Sequence, residues 1–268
     1  MSNPMLNDDA IRRARASWPA PDASTRAEPV TDGPISPWTR GEAMTVGGTI
    51  SATGVLLALL LVSGAAGWIA TKANESGSLQ FPAAAYVGVI IGVACVIALW
   101  FKPAWARVLA PVYALAEGFF VGAISKAYET SQNGIVLQAV GATVAVFAVM
   151  LVLYRTRILK VTDRFRRIII TATLGLMAFY LVCLVIRLFA GADSISFLQS
   201  PSLLGIAFSV FAAGLAAMNL ALDFDFIERG ERQQLPKQWE WYGAFATLVT
   251  LVWLYLELLR LLSKLNRR

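Results

Sequence analysis

Histidine is missing altogether from the 268 residues. That removes His-based zinc sites, Ser-His and Cys-His nucleophile pairs and imidazole proton relays in one step, so any acid–base work falls to carboxylates. Cysteine is nearly as scarce. Cys95 and Cys183 each lie within an apolar run, where a thiol acts as a small hydrophobe, and no disulfide framework follows. Charge is thin as well, at 15% of residues against 57% hydrophobic, whereas a soluble domain carries more of the first and less of the second. The net charge of +6 comes with no aromatic-studded basic groove, because the cations sit between apolar runs and at the termini. That placement belongs to membrane orientation and argues against a nucleic-acid partner.

What the chain has in quantity is long apolar sequence. Candidate spans fall at 46–70, 84–101, 107–126, 134–153, 167–190, 202–222 and 241–262. A helix of about 20 residues, at roughly 1.5 Å per residue, crosses a hydrocarbon core about 30 Å thick. The pattern predicts an all-α, polytopic transmembrane bundle of about seven spans, with the lipid bilayer as its surroundings. Residues 1–45 instead hold Pro4, Pro19, Pro21, Pro29, Pro34 and Pro37 among polar residues, with no apolar face to order them and no signal-peptide core. They read as a flexible N-terminal tail, and 46–268 as the bundle. Lys102 to Ala106, with Pro103, is short enough to join the second and third spans as an antiparallel hairpin. Gly88 with Gly92, and Gly118 with Gly122, repeat at four residues on one helix face, the spacing that lets backbones approach.

Most of the 23 lysines and arginines fall in the tail and in the connections after the second, fourth and sixth spans. The positive-inside rule then puts the tail in the cytoplasm and the C-terminus outside; the expected location is the cell membrane. The C-terminal cluster of Arg260, Lys264, Arg267 and Arg268 pulls the other way.

Ionisable groups inside spans are costly, roughly 2.5 to 3.5 kcal/mol each on insertion scales, and mark candidate sites. Glu117 stands mid-span in the third segment, a position for lining a path or binding an ion. Asp223 and Asp225 close the sixth span two residues apart, so they point to different sides of a helix. Asp223 shares a face with Asn219, one turn deeper, while Asp225 reaches Arg229 at i+4. Glu257 has Arg260 three residues on for an intrahelical pair near the membrane surface, and Thr250 and Thr247 continue its face inward. Arg187, near the end of the fifth span, is expected to snorkel outward. Carboxylates alone, in a membrane, can coordinate hard cations, bind protons or couple the two.

These features resemble the Bax inhibitor-1 family of seven-helix membrane proteins, in particular its bacterial branch. The resemblance rests on Glu117-Gly118 followed by Gly122, on the run Leu222 to Glu228, and on the run Tyr255 to Leu262 in the last helix. It implies a pH-sensitive calcium leak with the last helix at the centre of the bundle and an aspartate of the sixth helix closing the pore on the cytoplasmic side. Asp223 matches that aspartate. The relatives' second aspartate, in the last helix, falls at Thr250 here, which leaves Asp225 or Glu257 as substitutes. The expectation is a Ca²⁺ leak gated by Asp223, with Asp225, Thr250 and Glu257 at the gate, Glu117 and Asn219 along the path, and Asp223 and Glu117 as the groups meeting the ion. Ca²⁺ and protons are the implied partners, with no cofactor and no enzymatic activity. A cation/proton exchanger, and a regulatory protein using the basic loop Arg155 to Arg167 as a contact, are the alternatives.

Overall fold

A computed structural model describes residues 43–73, 79–190 and 200–267. Residues 1–42, on which most of the expected tail falls, lie outside the described residues. Seven helices long and apolar enough to cross a membrane occur among the described residues. They are α1 (Val46–Ala70), α2 (Ala83–Phe101), α3 (Ala106–Ser131), α4 (Ile135–Arg155), α5 (Asp163–Ala190), α6 (Leu203–Arg232) and α7 (Trp239–Leu265). A two-residue antiparallel pair, β1 (Lys72–Ala73) with β2 (Leu79–Gln80), closes the α1–α2 connection, and a single 3₁₀ turn, Pro103–Trp105, joins α2 to α3. The chain is therefore a multi-pass, all-α membrane protein. Isoleucine, valine and leucine side chains of α1, α2, α4 and α5 stand exposed along most of their lengths, the surface a bilayer would cover.

The last helix is the centre. α7 packs against α1, α3, α4 and α6 and buries more of its span than any other helix. Its hydrophobic stripe, including Ala244, Leu248, Val252 and Leu259, joins a core with Leu56 and Leu60 of α1 and Tyr113 and Val121 of α3. Leu254 and Leu258 turn to a second core with Ala216, Leu220 and Phe224 of α6.

The two glycine pairs lie at helix contacts, on both faces of α3. A Cβ at Gly122 would collide with the backbone of Gly64 in α1, and one at Gly118 would come within 2.5 Å of the Leu60 carbonyl. On the other side, a Cβ at Gly88 would stand 2.6 Å from the Ala116 carbonyl and one at Gly92 2.8 Å from Oε2 of Glu117. Where hydrophobic exclusion cannot drive helices together, such close backbone contact is what holds them. The α2–α3 hairpin expected from Pro103 is present.

Helix ends depart from the sequence-derived spans most at α6. The apolar run stops near residue 222, but the helix continues to Arg232. Hydropathy marks where grease ends, not where the helix ends, and the last turns are held by ion pairs between their own carboxylates and neighbouring arginines. Thirty residues make a rod about 45 Å long, well beyond the hydrocarbon core. The bundle also starts before residue 46. The Met44 amide donates to the Leu235 carbonyl at 2.7 Å, and Ala43 bridges Pro236, so the chain entering α1 is tied to the α6–α7 turn.

Candidate functional site

Two polar constellations are built on α6 and α7. The first forms where α6 leaves its apolar run. Asp223 is set against α7, with its carboxylate beside Thr250. Its Oδ2 is buried and has no hydrogen-bond partner. The Thr250 hydroxyl itself donates to the Ala246 carbonyl of its own helix at 3.1 Å. Asn219, one turn away, faces α5 instead: its amide donates to the Thr173 hydroxyl and to the Leu215 carbonyl, each at 2.9 Å.

Asp225 is placed on another side of α6 and is fully engaged. Its Oδ2 takes Arg166 of α5 and Arg229 of its own helix, each at 2.8 Å. Glu228 next to it receives Arg157 at 2.5 Å, Arg232 and the Tyr154 hydroxyl. Two cations of the basic loop are thus spent inside the molecule, pinning the α4–α5 connection to the overhanging end of α6, while Arg155, Lys160, Arg164 and Arg167 stay exposed. Within this latch only Asp225–Arg229 and Glu228–Arg232, each four residues apart, follow from local spacing.

The second constellation surrounds Glu257, which is buried to 2% exposure. Arg260 donates to both of its oxygens at 2.9 and 2.8 Å. The Tyr180 hydroxyl of α5 adds 2.7 Å and the Trp253 indole 3.3 Å. The intrahelical pair expected from the sequence is present, and it is completed by a tyrosine from another helix. That partner could not be read locally.

Glu117 is separate from both. Its carboxylate lies against Gly92 of α2, and among the described residues it makes no hydrogen bond or ion pair. The structure does not bring Glu117 together with Asp223: one faces α2, the other α7. Among the described residues there is no group of three or more His, Cys, Asp or Glu side chains able to hold a metal ion.

Sequence reasoning passed over Glu231 and Glu240. Glu240 of α7 is buried and accepts the Thr45 amide at 3.0 Å and its hydroxyl at 2.8 Å, while Glu231 accepts the Val46 amide at 2.9 Å. Two carboxylates thereby hold the free amides that begin α1, where the helix dipole favours negative charge. The available signal was a pair of glutamates flanking the short turn between the two most polar-ended helices.

The chain matches the family described as Bax inhibitor 1 like over residues 3–267, nearly its whole length. It belongs to the Bax inhibitor 1 like family. No curated protein matches it. In this Bax inhibitor 1 like protein the Asp223–Thr250 contact lies between the sixth helix and the central seventh, and the run Leu222 to Glu228 supplies both that contact and the arginine latch beside it.

Proposed function

We propose that this membrane protein is a cation leak pathway for Ca²⁺, gated by Asp223 and responsive to pH, and that it works as a conduit and not as an enzyme. The observation that carries the reading is the buried, unpartnered Oδ2 of Asp223 at the α6–α7 interface. An ionised carboxylate oxygen shut away from water with no donor is unfavourable, and a proton or a hard cation is what satisfies it. Thr250, whose hydroxyl donates to Ala246, stands beside the carboxylate where a second acid would offer a shared proton, so the charge at this part of the α6–α7 contact is that of one aspartate. In this reading the closed state is the ionised one, with a cation meeting Oδ2, and neutralising Asp223 releases that cation and lets the two helices part.

The test is Ca²⁺ flux into liposomes holding the purified full chain, followed over a pH series. Asp223→Asn should raise the leak and flatten its pH dependence. Thr250→Asp, which restores a paired acid, should steepen it. Lower flux in Asp223→Asn would overturn the gate reading and make the residue a ligand in the path. A requirement for an opposing proton gradient would make the protein an exchanger.

A further inference from the structure

We propose that the opposite end of the bundle, near the C-terminus, holds a binding site for a phosphate-bearing anion. A cavity of about 500 Å³ opens there between α3, α5 and α7. Four cations line it: Arg187 of α5, then Arg260, Lys264 and Arg267 of α7 and the residues just beyond it. The last three follow at i, i+4 and i+7, which places them on one face of the helix. Four converging like charges repel one another, so a fold that gathers them needs a counter-charge.

The protein supplies that counter-charge to one of the four. Glu257 lies beneath Arg260 and is occupied by it. Lys264 is 2% exposed, yet its ammonium donates to two neutral groups, the Gly205 carbonyl at 2.8 Å and the Ser209 hydroxyl at 2.7 Å. Glu129, the other described carboxylate at this end, is taken by the amides of Gly134 and Val136 at the start of α4. Among the described residues no carboxylate pairs with Arg187, Lys264 or Arg267. A buried ammonium with only neutral acceptors is an unfinished arrangement, and an anion in the adjoining cavity would complete it.

The chemistry of the donors selects the anion. Planar guanidinium groups bind two oxygens at once, and phosphate presents several charged oxygens to meet two arginines and a lysine together. The cavity also has room for a substituent on the phosphate, in the size range of small-molecule sites. Basic pockets between helix ends, at headgroup depth, suit lipid phosphates as well as soluble ones. The site is independent of the Asp223 gate, which lies toward the other end of α6.

Two arms test the proposal and separate the sources. In the first, inorganic phosphate is titrated onto the purified full chain in a neutral detergent at fixed ionic strength, with chloride as control, and unfolding is followed by tryptophan fluorescence. In the second, the protein is placed in phosphatidylcholine nanodiscs with or without phosphatidylglycerol, and retained lipid is read by native mass spectrometry. Saturable stabilisation by phosphate identifies a soluble anion, and selective retention of phosphatidylglycerol identifies a lipid headgroup; either supports the site. Arg187→Gln and Arg267→Gln, both at the cavity and not in the core, should each weaken binding about tenfold, the loss of one charge-assisted contact. Lys264→Met should abolish it while leaving the protein folded, since the buried cation is removed together with its need for a partner. Phosphate acting no differently from chloride with no lipid preference, or binding unchanged in all three variants, overturns the proposal.

Discussion

At the scale of single residues, the polar groups of this bundle divide into those the protein satisfies and those it leaves open. Glu257 is satisfied. Glu257→Gln should lower stability by about 2 kcal/mol through loss of the charge-assisted bonds to Arg260, and Glu257→Gln with Arg260→Gln together should recover part of it, read from thermal unfolding in detergent. Asp225 is satisfied too, between Arg166 and Arg229, so Asp225→Asn should lower stability while leaving the pH dependence of Ca²⁺ flux where it was. Glu117 and Asp223 are the open ones. Glu117→Gln should be tolerated, whereas Glu117→Lys should cost about 3 kcal/mol by placing a cation against Gly92 with no partner; equal unfolding temperatures would mean that the glutamate is solvated. The Asp225–Arg229 and Glu257–Arg260 pairs were legible in the sequence because three- and four-residue spacing fixes a helical neighbour. Tyr180, Arg166 and Arg157 were not, because their partners lie 77, 59 and 71 residues away, and only the packing of helices brings them in.

At the scale of elements, α3 is the helix that tolerates least. Its own glycine pair meets α1 on one side and the glycine pair of α2 meets it on the other, and a leucine at Gly122 would drive into the backbone of Gly64. Gly122→Leu should therefore cost about 1–3 kcal/mol or more by overpacking. Gly141→Ala, in α4 with open space around it, should stabilise by roughly 0.5–1 kcal/mol from lower chain entropy. The same unfolding assay ranks the two, and a harmless Gly122→Leu would mean α1 and α3 do not meet as described. The seven apolar runs and the four-residue glycine spacing announced the helices and the contacting faces. Which helix each glycine would meet was not announced, since spacing identifies a face and not its partner. The overhang of α6 was equally hidden, because its last turns look like an ordinary polar loop until Arg157 and Arg166 are seen folded against them.

At the scale of the molecule, an odd number of crossings sends the two ends of the bundle to opposite sides. Lys264 bonds to Gly205 at the start of α6, and Gln132 after α3 donates to Ser263, so the end of α7 lies with the connections opposite Ala43. Protease-cleavable tags at the two termini should be accessible from opposite faces of the membrane, and cleavage of both from one face would refute seven crossings. Deleting residues 2–40 should leave a protein that is extracted from membranes as a folded monodisperse species, because the contacts that clamp the start of α1 begin with Ala43, Met44 and Thr45. Asp223 and the cationic cavity lie toward opposite ends of the bundle, so the charged groups buried between the helices differ from one end to the other. On the leak proposed above, a crossing cation would pass a buried carboxylate toward one end and the cavity's cations toward the other, so the barrier would differ with direction of travel. In a planar bilayer the conductance of this protein should rectify, and occupation of the cationic cavity by phosphate should make the current–voltage curve more symmetric.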